Sequence, residues 1–283
     1  MIQFDLKNTV SVHITDKCNM RCPYCYQKDY SGYNKVMDRE KVYYAIRSLK
    51  PKTVLAFGGE PMLYPNLVLD LFDTFTREGC QVGVITNGTI WNKEIFDKAG
   101  VIMLTLESFF FDYNPQNRKY TKAQWGNVKK LLKNYKDKIS ITHNLYPYGN
   151  DPYYSRIAKL GGFESGPYPI ISYTEDTEYD PDTLRQYNTK LNTLDLPKLR
   201  VWPDGSISRD MRQQYKLCDY DGWDEKYRNQ KVPVHEKCVK CIHKNKCPGY
   251  KMFPHFCKDV LDKISDPHFC KIARWIDESN PNK

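Results

Sequence analysis

The sequence lacks any apolar run long enough to span a membrane. Its first residues, MIQFDLKNTVSVHI, also lack the basic start and the apolar run of a secretory signal peptide. We therefore expect a cytoplasmic protein. No internal repeat, low-complexity segment or obvious flexible linker is present, so the 283 residues suit one large domain, or one domain with a smaller appendage.

The sequence also lacks a basic block, although its formal net charge is +9. The lysines are spread along the chain, which is typical of a solvated surface. The charge remains compatible with an acidic substrate, a nucleotide or a nucleic acid, because net charge bears on association far more than on chemistry.

Cysteine is the residue type that stands out, with ten copies. Three lie within residues 18–25 and six within 218–270, whereas Cys80 is alone between a predicted helix and a predicted strand. Clustered thiols in a reducing compartment indicate metal binding more often than disulfides. We interpret Cys80 as a structural thiol.

The first two thirds of the chain alternate strand-like and helix-like patterns. The predicted strands are 9–15, 52–57, 80–86, 101–106 and 138–145, and the predicted helices lie near 38–49, 66–78, 91–99, 121–135, 151–160 and 181–193. This alternation predicts parallel pairing with right-handed crossovers, hence an α/β fold with its chemistry at the carboxyl ends of the strands. After residue 195 the pattern changes to a β-hairpin, with Asp204-Gly205 as its turn, and a cysteine-rich tail.

The amino-terminal cysteines, Cys18, Cys22 and Cys25, follow the first predicted strand with three and two intervening residues. Three thiolates leave one iron of a [4Fe–4S] cluster open to a cofactor or substrate. A structural zinc site is the alternative, but it normally closes with four ligands. His13 could be a fourth ligand, yet it lies inside a strand-like run and is better explained as a core or barrel-facing residue.

This cysteine spacing, with aromatic Tyr24 before the third cysteine, resembles the signature of the radical S-adenosylmethionine (SAM) superfamily. The resemblance covers roughly the first 160 residues. It implies a partial (β/α)6 TIM-type barrel whose open iron binds SAM, and whose cluster cleaves SAM to a 5′-deoxyadenosyl radical that abstracts hydrogen. It also implies an electron donor such as flavodoxin or ferredoxin, and it places Tyr24 near the adenine.

Further motifs follow in the order that this family has. Gly58-Gly59-Glu60-Pro61, after the second strand, resembles the GGEP motif that binds the SAM ammonium group. Glycines permit close backbone approach, and a carboxylate can pair with a cation. Four more positions resemble SAM contacts at later strand ends: Asn87 in Thr86-Asn87-Gly88, Glu107 in place of the usual aspartate, Arg118 and Asn144. No catalytic residue can be named from the sequence.

The carboxyl-terminal cysteines Cys238, Cys241 and Cys247 are spaced as in the SPASM and twitch extensions of radical SAM enzymes. The array departs from the full pattern, because Ser208-Arg209 lie near its first cysteine position and Lys251 replaces a later cysteine. The resemblance implies one auxiliary [4Fe–4S] cluster, with Cys270 as fourth ligand. Cys257 and then Cys218 are the alternatives, and zinc is the alternative metal.

These observations predict a barrel domain over residues 1–195 and an auxiliary-cluster domain over 196–283. The resemblance implies oxidative modification of a peptide or protein, with a nucleotide or another anionic small molecule as the alternative substrate. A zinc-stabilised, basic nucleic-acid-binding protein is the alternative from another class. It would explain the carboxyl-terminal cysteines and the charge, but not a GGEP motif behind CxxxCxxC.

Overall fold

One eight-stranded sheet forms the centre of the computed structural model. The structure describes residues 8–20, 22, 25, 35–106, 121–142, 144–145, 168–169, 199–209, 216–229, 234–244, 247, 270 and 274. The strands β1 to β10 are Thr9–Thr15, Thr53–Gly58, Gln81–Thr86, Val101–Thr105, Ile139–Thr142, Asn144–Leu145, Tyr168–Pro169, Leu199–Val201, Ile207–Ser208 and Lys216–Cys218. The helices α1 to α5 are Arg39–Leu49, Pro65–Arg77, Lys93–Lys98, Lys122–Asn134 and Glu236–Lys240.

The strand order is β10-β9-β8-β1-β2-β3-β4-β5, and β6 pairs with β7 in a separate parallel pair. Strands β8, β1, β2, β3, β4 and β5 are all parallel, whereas β9 and β10 are antiparallel to their neighbours. The expected α/β architecture is confirmed, as an open sheet. The predicted strand 138–145 is split into β5 and β6. The predicted helices 151–160 and 181–193 lie outside the described residues.

The sheet presents two chemically different faces. Val10, Val12 and Ile14 of β1 belong to the apolar core that includes the buried residues of α1 and α2. The alternate residues of β1 point to the opposite, inner face because strand side chains have a period of two. By the strand register, that face carries Thr9, Ser11 and His13 of β1 together with Phe57, Met103, Ser140 and Arg200.

The predicted hairpin forms, and its turn has the expected chemistry. Gly205 has φ +81°, a left-handed conformation that glycine adopts without steric cost. Asp204 Oδ1 accepts hydrogen bonds from the Ser206 amide at 2.9 Å and from its hydroxyl at 2.6 Å. The first hairpin strand, β8, pairs with β1, so one sheet crosses residue 195. The two-domain division stays a prediction.

Helix ends follow the sequence closely. Asp38 caps α1, and Thr121 with Gln124 forms a reciprocal capping box at the start of α4. Lys50 ends α1 in the left-handed conformation. No helix in the described ranges is long and apolar enough to cross a bilayer.

Candidate cluster and cofactor site

The first motif occupies the loop that leaves β1. Cys18 lies at the surface, and Cys22 and Cys25 are half-buried. The Met20 amide donates to Cys18 Sγ at 3.4 Å, and the Cys25 amide donates to the Cys22 carbonyl at 3.1 Å. The loop therefore turns tightly after β1, while Met20 packs in the core.

The GGEP motif ends β2 beside this loop. The Gly59 amide donates to the Thr15 carbonyl at 2.7 Å, and the Glu60 amide donates to the Lys17 carbonyl at 2.8 Å. Gly58 has φ +143°, and a Cβ on it would lie 2.5 Å from the Thr15 carbonyl oxygen. The glycines are thus required by the chain's own β1 loop, whereas the sequence suggested only a ligand's approach.

The Glu60 side chain is fully buried and makes three hydrogen bonds. Its Oε1 accepts from the Thr86 hydroxyl at 2.7 Å and from the Met62 amide at 3.1 Å, and its Oε2 accepts from the Asn87 amide at 2.9 Å. Burial raises the pKa of Glu60 to about 7, and these three donors oppose the shift. The carboxylate therefore links the end of β2 to the end of β3.

Asn87 continues this link to the cysteine loop. Its Nδ2 donates to Asn19 Oδ1 at 2.9 Å and approaches Cys18 Sγ at 3.9 Å. Its Oδ1 accepts from the Thr89 amide at 3.0 Å and from the Thr89 hydroxyl at 2.6 Å. Asn19 and Thr89 were missed by the sequence reasoning. Asn19 lies inside the cysteine motif and Thr89 directly follows Thr86-Asn87-Gly88, and these positions are their only sequence signal.

His13 lies in an aromatic layer on the inner face. Its ring stacks on Phe57 at 5.6 Å and meets Trp202 edge-on at 4.8 Å. Desolvation, aided by the charge of Arg200, lowers its pKa to about 3. His13 is therefore a neutral core residue, as the strand pattern suggested, and Arg200 lies over the Phe57 ring at 5.1 Å.

The chemistry of the Cys18 loop fits an iron–sulfur cluster. Cys18 is at the surface, yet desolvation by the surrounding protein atoms, aided by the charges of Glu60 and Cys25, raises the pKa of its thiol to about 12. A lone thiol here stays protonated at neutral pH, whereas bound metal holds a thiol deprotonated. Two N–H groups already face its sulfur, from Met20 and Asn87.

The described residues do not form a site for a single metal ion. Within the described ranges, no three His, Cys, Asp or Glu side chains lie close enough to hold one metal ion. This geometry is compatible with a [4Fe–4S] cluster, because each cysteine of such a cluster binds a different iron.

The remaining predicted SAM contacts are only partly described. Tyr24, Glu107 and Arg118 lie outside the described residues. Asn144 begins β6, and only its backbone is described. Pro61 is buried at the start of the short 3₁₀ helix that follows Glu60.

Cys238, Cys241 and Cys247 lie on α5 and in the turns that follow it. Cys238 on α5 and Cys247 are buried, and Cys241 and Cys270 are half-buried. The Cys241 amide donates to the Cys238 carbonyl, and the Cys247 amide donates to the Lys244 carbonyl, both at 3.3 Å. Burial, aided by the charge of Cys241, raises the pKa of Cys238. As at Cys18, bound metal would hold this thiol deprotonated.

The described residues include Cys218, an alternative cluster ligand, and Ser208, which lies near the position of the absent first cysteine. Cys218 lies on β10, where desolvation, aided by Asp219, raises its pKa to about 11. Ser208 is buried in β9 and accepts a hydrogen bond from Trp202 Nε1 at 2.7 Å. Cys257 and Lys251 lie outside the described residues.

Three comparisons relate the chain to known proteins. The radical SAM superfamily model matches residues 12–160, more than half of the 283 residues. The chain is 29% identical over 92 residues to a GTP 3′,8-cyclase of Clostridium perfringens (strain SM101), covering 30% of this chain and 28% of that enzyme. The chain thus spans well under two thirds of that relative's length.

Two solved structures have a similar fold. Native anSMEcpe with bound AdoMet and Cp18Cys peptide matches with a TM-score of 0.60 and 14% identity, covering 96% of this chain and 99% of that one. Streptococcus suis SuiB bound to precursor peptide SuiA matches with a TM-score of 0.60 and 14% identity, covering 89% and 76%. At this identity the likeness establishes the fold alone.

Proposed function

The chain belongs to the radical SAM superfamily, and from this premise we propose that it is an enzyme that reductively cleaves SAM and uses the resulting radical to modify a peptide or protein oxidatively. The observation that carries the SAM-cleavage part is the hydrogen-bonded connection of three motifs. Asn87 contacts Glu60 through its backbone and approaches Cys18 through its side chain. These motifs therefore share one rim of the sheet, where parallel-strand folds place their chemistry.

Cys18, Cys22 and Cys25 would hold the [4Fe–4S] cluster. When bound, this cluster supplies the electron that breaks a carbon–sulfur bond of SAM to give methionine and a 5′-deoxyadenosyl radical. A flavodoxin or ferredoxin would deliver that electron. The chain's own task is to orient the reactants and to exclude groups that would quench a radical.

Glu60 would act on SAM through the backbone that it holds. Its carboxylate is committed to Thr86, Met62 and Asn87. It therefore fixes the Gly58–Pro61 turn against the cysteine loop, and the backbone of that turn is what remains for the SAM ammonium group. Tyr24, Asn87, Glu107, Arg118 and Asn144 stay predicted SAM contacts.

The inner face supports a peptide more than a nucleotide. Among the described residues, its half-buried side chains Phe57, Ile85, Met103 and Ser140 carry no charge, and the one cation of this face that the structure describes, Arg200, is buried over the Phe57 ring. A neutral surface suits an uncharged C–H group shielded from water, whereas a triphosphate needs cations. Similarity of fold to two peptide-bound structures agrees with this choice.

A nucleotide or another anionic small molecule is the second candidate. The local identity to a GTP 3′,8-cyclase favours it, as does the net charge of +9. The zinc-stabilised nucleic-acid-binding alternative does not account for the family match.

We also propose the auxiliary cluster at Cys238, Cys241, Cys247 and Cys270, which would accept an electron from the substrate radical and so complete a two-electron oxidation.

Anaerobic reconstitution with iron and sulfide tests this function. With dithionite as reductant, the chain should form 5′-deoxyadenosine and methionine from SAM, measured by mass spectrometry. The Cys18→Ala/Cys22→Ala/Cys25→Ala variant should lose at least 100-fold of this activity. Cys80→Ala is the matched control and should retain it, because Cys80 lies away from the rim and donates to the Pro51 carbonyl.

Two outcomes would overturn the proposal. Tight zinc binding without SAM cleavage would remove the enzyme assignment. Stimulation of SAM cleavage by GTP, with incorporation of a carbon-bound hydrogen of GTP into 5′-deoxyadenosine, would show that the substrate is a nucleotide and not a peptide. Incorporation of deuterium from a labelled peptide library would support the peptide.

A further inference from the structure

The orientation of the Asn87 amide is set by a closed ring of hydrogen bonds. Asn87 Oδ1 faces the Thr89 amide at 3.0 Å, and a backbone N–H can only donate. This bond identifies the oxygen of Asn87, so Nδ2 must point the other way. The Thr89 hydroxyl also donates to this oxygen, at 2.6 Å.

The ring closes through Asn19. Asn19 Nδ2 donates to the Thr89 hydroxyl at 2.7 Å, and Asn19 Oδ1 accepts from Asn87 Nδ2 at 2.9 Å. Each side chain therefore orients the next one. The backbone beneath the ring is also held, because the Asn87 amide donates to Glu60 and the Asn127 side chain donates to the Thr89 carbonyl.

Asn87 Nδ2 has a second hydrogen, and it is directed towards a cysteine sulfur. The nitrogen lies 3.9 Å from Cys18 Sγ. Asn87 is 9% exposed, so little water competes for this hydrogen. Cys18 Sγ also accepts from the Met20 amide at 3.4 Å. The sulfur thus faces one backbone donor from its own loop and one side-chain donor from the loop that follows β3.

We propose that Asn87 is a positioning residue that raises the reduction potential of the cluster bound at Cys18, through its N–H···S contact. Hydrogen bonds to cluster sulfurs stabilise the more negative, reduced state and are one of the protein's means of setting the potential. The cluster becomes easier to reduce by an electron donor, and a weaker reductant towards SAM. This inference rests on the proposed role of Cys18 as a cluster ligand.

Asn87→Leu in the reconstituted full chain tests the inference. The midpoint potential is read from the electron paramagnetic resonance signal that changes on SAM addition, which separates this cluster from an auxiliary one. Loss of the donor should lower the midpoint potential by up to about 59 mV. This shift corresponds to a tenfold change in the equilibrium constant of a one-electron reduction. One exchangeable-proton coupling to the cluster should disappear as well.

Thr89→Val is the matched control. It breaks the hydroxyl links of the ring but keeps the Thr89 amide on Asn87 Oδ1, so the Asn87 amide keeps its orientation. In Thr89→Val, the midpoint potential of the cluster should differ from the wild-type value by less than half as much as in Asn87→Leu. The exchangeable-proton coupling should be retained. Asn87→Ser serves as a milder variant if Asn87→Leu does not fold, and it should also lower the potential.

The outcomes separate this inference from the proposed function. An unchanged potential in both Asn87 variants, with cluster and SAM cleavage intact, would overturn the inference alone. An equal shift in Thr89→Val would also overturn it, because general loosening of the loop would then be the cause. Failure of the wild-type chain to bind a cluster at Cys18 would overturn both.

Discussion

Gly59 packs directly against Lys17: a Cβ built on Gly59 would lie 2.2 Å from the Lys17 carbonyl oxygen. The next amide, of Glu60, donates to that same oxygen at 2.8 Å. The GGEP turn and the cysteine loop are therefore in backbone contact, and the spacing between them leaves no room for a side chain.

Gly59→Ala should accordingly destabilise the chain by about 1–3 kcal/mol, because the added methyl group must displace backbone. It should also lower the iron retained at Cys18, Cys22 and Cys25. Denaturant unfolding and iron analysis measure the two effects. Gly126→Ala is the matched control, since a Cβ there meets nothing within 4 Å. Lying inside α4, it should stabilise by about 0.5–1 kcal/mol. Equal stability of the two variants would contradict the prediction.

Glu60→Gln should change how stability depends on pH. Burial raises the Glu60 pKa from 4.5 to about 7. The folded state then holds the proton more tightly than the unfolded state, so the stability that protonation contributes is lost as pH rises from about 5 through 7. The loss in the wild-type chain should be on the order of 3 kcal/mol at most.

Denaturant unfolding of wild type and Glu60→Gln between pH 5 and pH 8 measures this difference. The variant should show the flatter profile. Glu40→Gln, on the exposed surface of α1, should keep the wild-type profile. Parallel profiles for wild type and Glu60→Gln would show that Glu60 does not titrate in this range.

His13 should produce the opposite pH dependence. Its folded pKa is lowered from 6.5 to about 3, first by desolvation and then by Arg200. The unfolded state therefore binds the proton first, and stability is lost as pH falls below about 6.5. His13→Phe should remove this part of the acid sensitivity, measured by urea unfolding between pH 7 and pH 4. His235→Asn, which keeps an acceptor at the start of α5, should leave it in place.

Substituting the three cysteines that would bind the SAM-cleaving cluster tests for the auxiliary cluster. A Cys18→Ala/Cys22→Ala/Cys25→Ala variant should retain about four iron atoms per chain, with a spectrum of their own. If no iron remains, the carboxyl-terminal cysteines bind zinc or nothing. Cys270→Ala should reduce that iron more than Cys257→Ala, and the reverse result would exchange the predicted ligands.

Most strands and helices between residues 9 and 142 were predictable, because their apolar residues recur at strand or helix spacing. β1 was predicted with both bounds correct, and α1, α2 and α4 were predicted within one residue at each end. The starts of α1 and α4 are defined locally, because Asp38 and Thr121 cap them.

Other features could not be predicted because they depend on contacts distant in sequence. The hairpin strand β8 pairs with β1 across almost two hundred residues, and no local pattern specifies that neighbour. The hydrogen bonds that the Glu60 carboxylate accepts from Thr86 and Asn87 also could not be predicted, because these donors lie on the next strand end. Asn19 and Thr89 carried no signal of their own, since the hydrogen-bonded ring forms only when the loops after β1 and β3 meet.

The sequence by itself determined the family, through cysteine spacing and the order of strand-end motifs, because thiolates and glycine turns have few substitutes in that chemistry. It also determined the α/β alternation, through apolar periodicity. Only the tertiary structure decided what each motif residue touches. In the folded chain, Gly59 packs against the backbone of Lys17, the Glu60 carboxylate accepts a hydrogen bond from the end of β3, and the Asn87 side chain approaches the sulfur of Cys18. These contacts form only when parallel strands bring their carboxyl ends together.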